Sequence, residues 1–83
     1  MVLYVRPGPA TRVAFVCGRR VGGAVVRNRA RRLMREAWHV VAPGIQGGFD
    51  IVFVARPDIE GATMGDVLAE SMGALVRAGV IVR

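Results

Sequence analysis

The chain contains no lysine, and none of its first 35 residues is Asp or Glu. All twelve basic side chains are arginine, and nine fall in that opening stretch: Arg6, Arg12, Arg19, Arg20, Arg27, Arg29, Arg31, Arg32 and Arg35. The other 48 residues carry three arginines against six acids, so a front segment of +9 and a back segment of −3 give the net +6. The missing lysine says little by itself, because GC-rich coding has the same effect. The missing acids say more. Unbalanced like charges repel and do nothing for folding, so the split points to a surface built to meet a polyanion.

Other scarcities exclude whole classes. One cysteine, Cys17, cannot make an internal disulfide. This fits a reducing compartment, and within its apolar run it reads as a small buried hydrophobe. No segment nears the roughly 18 consecutive apolar residues of a membrane span. Val2 to Val5, ended by Arg6-Pro7, is too short for a signal peptide. A cytoplasmic protein with no membrane partner is expected. His39 is the only histidine, no Cys/His spacing fits zinc, and the six carboxylates are scattered. A Cys17–His39 nucleophile and base would need a chance meeting in the fold. No catalytic and no metal-ligating residues are assigned, and if the chain serves an enzyme, the chemistry belongs to its partner.

At 83 residues the chain makes one small domain, 1–83, that buries only about 60–65% of its unfolded surface. Its 53% apolar content suits a real core and argues against a disordered basic tail. Val2 to Arg6 reads as a strand, Pro7-Gly8-Pro9 as a turn, and Arg12 to Cys17 as a second strand antiparallel to the first across that loop. A basic glycine loop, residues 18–23, precedes a helix from about Ala24 to Val41 that stops at Pro43-Gly44. Phe49 to Ala55 is the most apolar strand and suits a central position. Thr63 is a good N-cap with Asp66 three residues on, and Met64, Val67, Leu68, Ser71, Met72, Leu75 and Val76 have core spacing. Gly79 suits the position just past that helix, and Val80-Ile81-Val82 reads as a short edge strand or a frayed end. The order β-β-α-β-α describes an α+β domain with helices on one face of a small mixed sheet.

On the first helix, Val26, Ala30, Leu33, Met34, Ala37, Val40 and Val41 share a sector of roughly 120°. Asn28, Arg31, Arg32, Arg35 and His39 lie opposite, with Arg27 and Arg29 on the borders. Glu36 alone interrupts that face, where it can pair with Arg32. A solvated helix face normally mixes signs, whereas this one reads as a nucleic-acid contact. Arg19 and Arg20 join it from the loop, beside glycines that let backbone N–H groups approach phosphate. The loop is not a Walker A loop, because no Gly-Lys-Ser/Thr follows.

The stretch Phe15 to Glu36, FVCGRRVGGAVVRNRARRLMRE, resembles the signature of the protein subunit of bacterial ribonuclease P. That family has an aromatic strand and a Ser-Lys-Lys-Val-Gly-like loop. A helix then reads Ala-Val-x-Arg-Asn-Arg-x-(Lys/Arg)-Arg-x-x-Arg-Glu. The match runs through Arg19, Arg20, Val21, Gly22, Ala24, Val25, Arg27, Asn28, Arg29, Arg31, Arg32, Arg35 and Glu36. Gly18 and Gly23 stand where Ser and Lys are common, and FDIVFVARP resembles the family's Asp-Ile-Val strand. The resemblance implies a ribosomal-protein-like two-layer sandwich with a left-handed βαβ crossover, where general rules would favour the right hand. It also implies a protein that binds a large catalytic RNA and helps it remove 5′ leaders from precursor tRNA. The RNA and its Mg²⁺ perform the hydrolysis. The implied RNA contacts are Arg19, Arg20, Arg27, Asn28, Arg29, Arg31, Arg32 and Arg35, with Phe15 and Tyr4 placed to stack on leader bases. The family begins with a further N-terminal helix whose aromatic lines the leader cleft, and this chain starts within the first strand.

Two readings from other classes stay open beside it. One is a structural RNA-binding protein of ribosomal type with no associated enzyme. The other, less expected, is a DNA-binding module that uses the same arginines in a major groove.

Overall fold

The computed structural model describes residues 1–81. Strands β1 (Val2–Pro7), β2 (Arg12–Val16) and β3 (Phe49–Val54) form one sheet, with helices α1 (Ala24–Val41) and α2 (Met64–Arg77). The strand order is β1-β3-β2. β3 runs antiparallel to β1, with Val2 opposite Val54 and Tyr4 opposite Val52, and parallel to β2, with Phe15 opposite Phe53. The expected β1–β2 hairpin is therefore wrong in its pairing. The two strands do run in opposite directions, but β3 lies between them. The physical reason is that β3 is apolar at nearly every position, so it gains most from a neighbour on each side and from cover on its helix face. β2, α1 and β3 make the parallel crossover unit.

Alternation along the strands sorts the side chains into two faces. Leu3, Val5, Val13, Phe15, Ile51 and Phe53 turn toward the helices, and Ile51 and Phe53 are fully buried there. Phe53 is the hub. Phe15 packs against it at 5.3 Å between ring centroids, and Trp38 of α1 meets it edge-on at 6.3 Å. From the helices, Ala30, Leu33, Met34, Ala37 and Val41 of α1 and Val67 and Leu75 of α2 fill the rest. Val40 was placed in this stripe by its spacing, but it is 56% exposed. Trp38, one turn from Met34, takes the space beside the sheet instead.

α2 begins with a full capping box. The Asp66 N–H donates to Thr63 Oγ1, and the Thr63 N–H donates to the Asp66 carboxylate at 2.9 Å. Gly79 follows the helix with φ of 76°, a left-handed conformation that favours glycine. Val80 and Ile81 do not form a strand but fold back into the core. Val82 lies outside the described residues. Gly48 marks a close approach, because its carbonyl accepts the Gly8 N–H at 3.1 Å and any Cβ there would run into the Gly8 carbonyl oxygen.

The opposite face of the sheet carries Val2, Tyr4, Ala14, Val16, Val52 and Val54, and no helix covers it among the described residues. Tyr4 is 62% exposed and Val16 47%. Among the described residues no helix is long and apolar enough to cross a membrane.

Candidate nucleic-acid interface

The loop before α1 is a single 3-10 turn, Arg19–Val21, closed by Val21 N–H donating to Gly18 O and Gly22 N–H to Arg19 O, both at 3.2 Å. Val21 is buried and pins the turn, so Arg19 and Arg20 project into solvent. Gly22 adopts φ of 151°, and a side chain there would press on Val26 at 3.0 Å. The chain thus enters α1 by a bend that glycine alone tolerates. Gly23 is the N-cap and brings no side-chain acceptor, and no acid lies in the first turn. The helix N-terminus therefore keeps its positive end unneutralised.

Along α1 the buried stripe fixes the rotation of the opposite face. Asn28, Arg32, Arg35 and His39 are exposed, and Arg27, Arg29 and Arg31 are half-buried. Among the described residues no acidic side chain comes within 4.0 Å of Arg19, Arg20, Arg27, Arg29, Arg31, Arg32 or Arg35. The expected Arg32–Glu36 pair does not form. Four of the six acids are engaged elsewhere: Asp58 and Glu70 near the amino group of Met1, Asp66 at its cap, and Asp50 on the open face.

The individual arginines are not equivalent. Arg35 lies over the Phe15 ring at 5.5 Å, a cation–π contact at the seam of α1 and β2. Arg31 Nη1 reaches Asn28 Oδ1 at 3.4 Å. Arg27 buries its Nε without a partner. Arg29 points toward the 3-10 turn Pro57–Gly61, donating from Nη2 to Ala62 O at 2.8 Å and from Nη1 to Glu60 O at 3.3 Å.

The two aromatics singled out from the sequence do not share a surface. Phe15 is half-buried on the helix side against Phe53, while Tyr4 stands on the open face. Tyr4 borders a shallow hollow of about 550 Å³ whose floor includes Ala14 and Val52 and whose end is formed by Arg6, Asp50 and Arg12. Asp50 Oδ1 accepts from Arg12 Nε at 2.9 Å, and Oδ2 accepts from Arg6 Nε at 3.0 Å and Arg12 Nη2 at 3.1 Å. Hydrogen bonds from Arg12 and then Arg6 hold the Asp50 carboxyl below the usual carboxylate range, and the same bond raises Arg12. The sequence reading missed this triad, since separations of 44 and 38 residues leave no local pattern. Among the described residues no group of three or more His, Cys, Asp or Glu side chains gathers in a way that could hold a metal ion.

The sequence and the fold both have known counterparts. A "Ribonuclease P protein component" of Roseiflexus sp. (strain RS-1) is 46% identical over 72 residues, spanning 86% of this chain and 59% of that protein. One of Chloroflexus aurantiacus is 42% identical over 80 residues, spanning 93% of this chain and 58% of that protein. The chain thus spans under two thirds of the length of these relatives. The solved structure of the Staphylococcus aureus RNase P protein superposes with a TM-score of 0.80 at 24% identity, over 96% of this chain and 75% of that one, which establishes the shared fold. The family model for Ribonuclease P matches residues 1–79, and the chain belongs to that family.

Proposed function

We propose that this chain is the RNA-binding protein cofactor of a ribonuclease P ribonucleoprotein, assisting endonucleolytic removal of 5′ leaders from precursor tRNA. The observation that carries the reading is the row of arginines on α1 and the preceding turn, none paired with an acid among the described residues. Such a surface costs stability until polyanionic phosphate arrives, and phosphate contacts supply most of the sequence-independent affinity for RNA. An A-form major groove is too narrow for a helix, so the arginines would meet RNA through phosphates, 2′-OH groups and shape. Arg19, Arg20, Arg27, Asn28, Arg31, Arg32 and Arg35 are the contacts to the catalytic RNA. In this reading the hydrolysis belongs to that RNA with its own Mg²⁺, as the family resemblance implies. Tyr4, exposed on an apolar sheet face, is available to stack on an unpaired leader base, worth about 1–3 kcal/mol. The precursor tRNA is accordingly the second partner.

The test is cleavage of a precursor tRNA by a bacterial ribonuclease P RNA at low Mg²⁺, with and without the protein. Stimulated cleavage at the correct 5′ site is expected. Tight binding to the RNA without stimulation would leave a docking protein that does not hold the leader. A folded protein that neither binds nor stimulates would sink the reading, and co-sedimentation with ribosomes instead would favour a structural ribosomal role.

A further inference from the structure

Seven arginines between residues 19 and 35 look interchangeable in the sequence, but one of them faces the wrong way to hold a phosphate. Arg29 is half-buried, and both terminal nitrogens of its guanidinium are directed at backbone carbonyls of a different part of the chain. Those carbonyls, Glu60 and Ala62, lie where the 3-10 turn Pro57–Gly61 ends and just before Thr63, the N-cap of α2. The turn's own hydrogen bonds use other acceptors: Ile59 N–H donates to Arg56 O, and Ala62 N–H to Ile59 O. Among the described residues neither Glu60 O nor Ala62 O has a backbone donor outside the regular elements. A guanidinium is suited to this position, because its planar fork reaches two acceptors from two separate nitrogens, whereas the three donors of an ammonium radiate from a single, strongly hydrated nitrogen.

We propose that Arg29 is a positioning residue of the RNA-binding surface and not a contact to RNA. It ties the first turns of α1 to the residues just before α2, where Ile59 of the turn and Val67 of α2 are buried. This fixes where the exposed arginines of α1 stand. The inference deepens the proposed RNA-binding role of α1, but its structural half can be measured with no RNA present.

The experiment compares Arg29→Gln, Arg29→Lys and Arg32→Gln in the full chain, by thermal melting and by salt titration of binding to a bacterial ribonuclease P RNA. Glutamine removes the charge but keeps one donor for a carbonyl, and lysine keeps the charge but loses the fork. Both Arg29 variants should melt lower than the parent, while Arg32→Gln should melt like it. The slope of log affinity against log salt should be unchanged in Arg29→Gln and smaller by about 0.7–0.9 in Arg32→Gln. An Arg29→Gln slope reduced as far as that of Arg32→Gln would overturn the proposal, as would Arg29→Lys melting like the parent. If the Gln variant does not fold, Arg29→Lys decides alone: a lowered melting point with full slope supports the clamp. Absence of RNA binding by the parent protein would count against the RNA-binding role and leave the melting result to judge the clamp.

Discussion

Replacing Arg27, Arg31 and Arg35 together by alanine removes one full row of the α1 surface while leaving the core stripe untouched. Six arginines on this surface, Arg19, Arg20, Arg27, Arg31, Arg32 and Arg35, have no acidic partner among the described residues and are not held by the Arg29 clamp. If each neutralises one phosphate, the slope of log affinity against log salt is about −4.2 to −5.4, so raising salt from about 50 to 200 mM weakens binding roughly 300- to 2,000-fold. With three contacts left, the slope halves and the same salt rise weakens binding only roughly 20- to 40-fold. The fold should bear the change. Arg27 gives up no bond at its buried Nε, and the Arg31–Asn28 contact is long and exposed. Arg35 gives up its contact with Phe15, about 0.5–1 kcal/mol. That lowers the melting temperature by no more than about 8 °C in a domain of this size. Filter binding or fluorescence titration across the salt range reads the slope, and a melt of the free protein checks that it is folded. A folded triple variant with the parental slope would refute the assignment of this row to phosphate.

Three further outcomes follow from the packing and the ion pairs. Gly48→Ala forces the Gly8–Ala10 backbone to move, and should cost about 1–3 kcal/mol in a urea or thermal melt; a neutral result would show that the approach of the two loops is slack. Thr63→Ala removes the Oγ1 acceptor of the capping box and should cost about 1 kcal/mol, read in the same melts. The Asp66 carboxyl is held below its usual range chiefly by the Thr63 N–H, and that of Asp50 chiefly by Arg12. A depressed folded-state pKa gives stability that is complete above the ordinary carboxylate value of about 3.9 and lost as pH falls through the lower folded value. The melting temperature should therefore fall below about pH 4, and the Asp50→Asn, Asp66→Asn double variant should start lower at neutral pH and fall less steeply.

What the sequence disclosed was governed by distance along the chain. Helix α1 could be read to its ends because its apolar positions repeat every turn and Pro43-Gly44 stops it, and Thr63 and Asp66 announce the start of α2 within four residues. The basic face was legible for the same reason. Pairing between strands has no such local record. The turn-rich Pro7–Thr11 segment looks like a hairpin, and nothing within either strand says that β3, more than thirty residues on, will come between them. The Arg6–Asp50–Arg12 triad and the Arg29 clamp were hidden in the same way, since each joins residues about 30 to 44 apart. Phe15 and Tyr4 looked like partners because both sit on strands near the start. Their opposite faces follow only from the register each strand adopts against β3.

The central place of β3 also sets a timetable. Neither outer strand touches the other, so no strand pair exists until residues 49–54 have left the ribosome. A chain emerging at about 5–20 residues per second presents its complete arginine segment for roughly one to four seconds before any sheet can form beneath it. When β3 does arrive, it must close a loop of about fifty residues to reach β1 at Val2 and Val54, and a loop of 37 residues to reach β2. Such distant pairings slow folding relative to a helical bundle of the same length. Through that interval the +9 segment, which includes most of α1, has no sheet to pack its apolar stripe against.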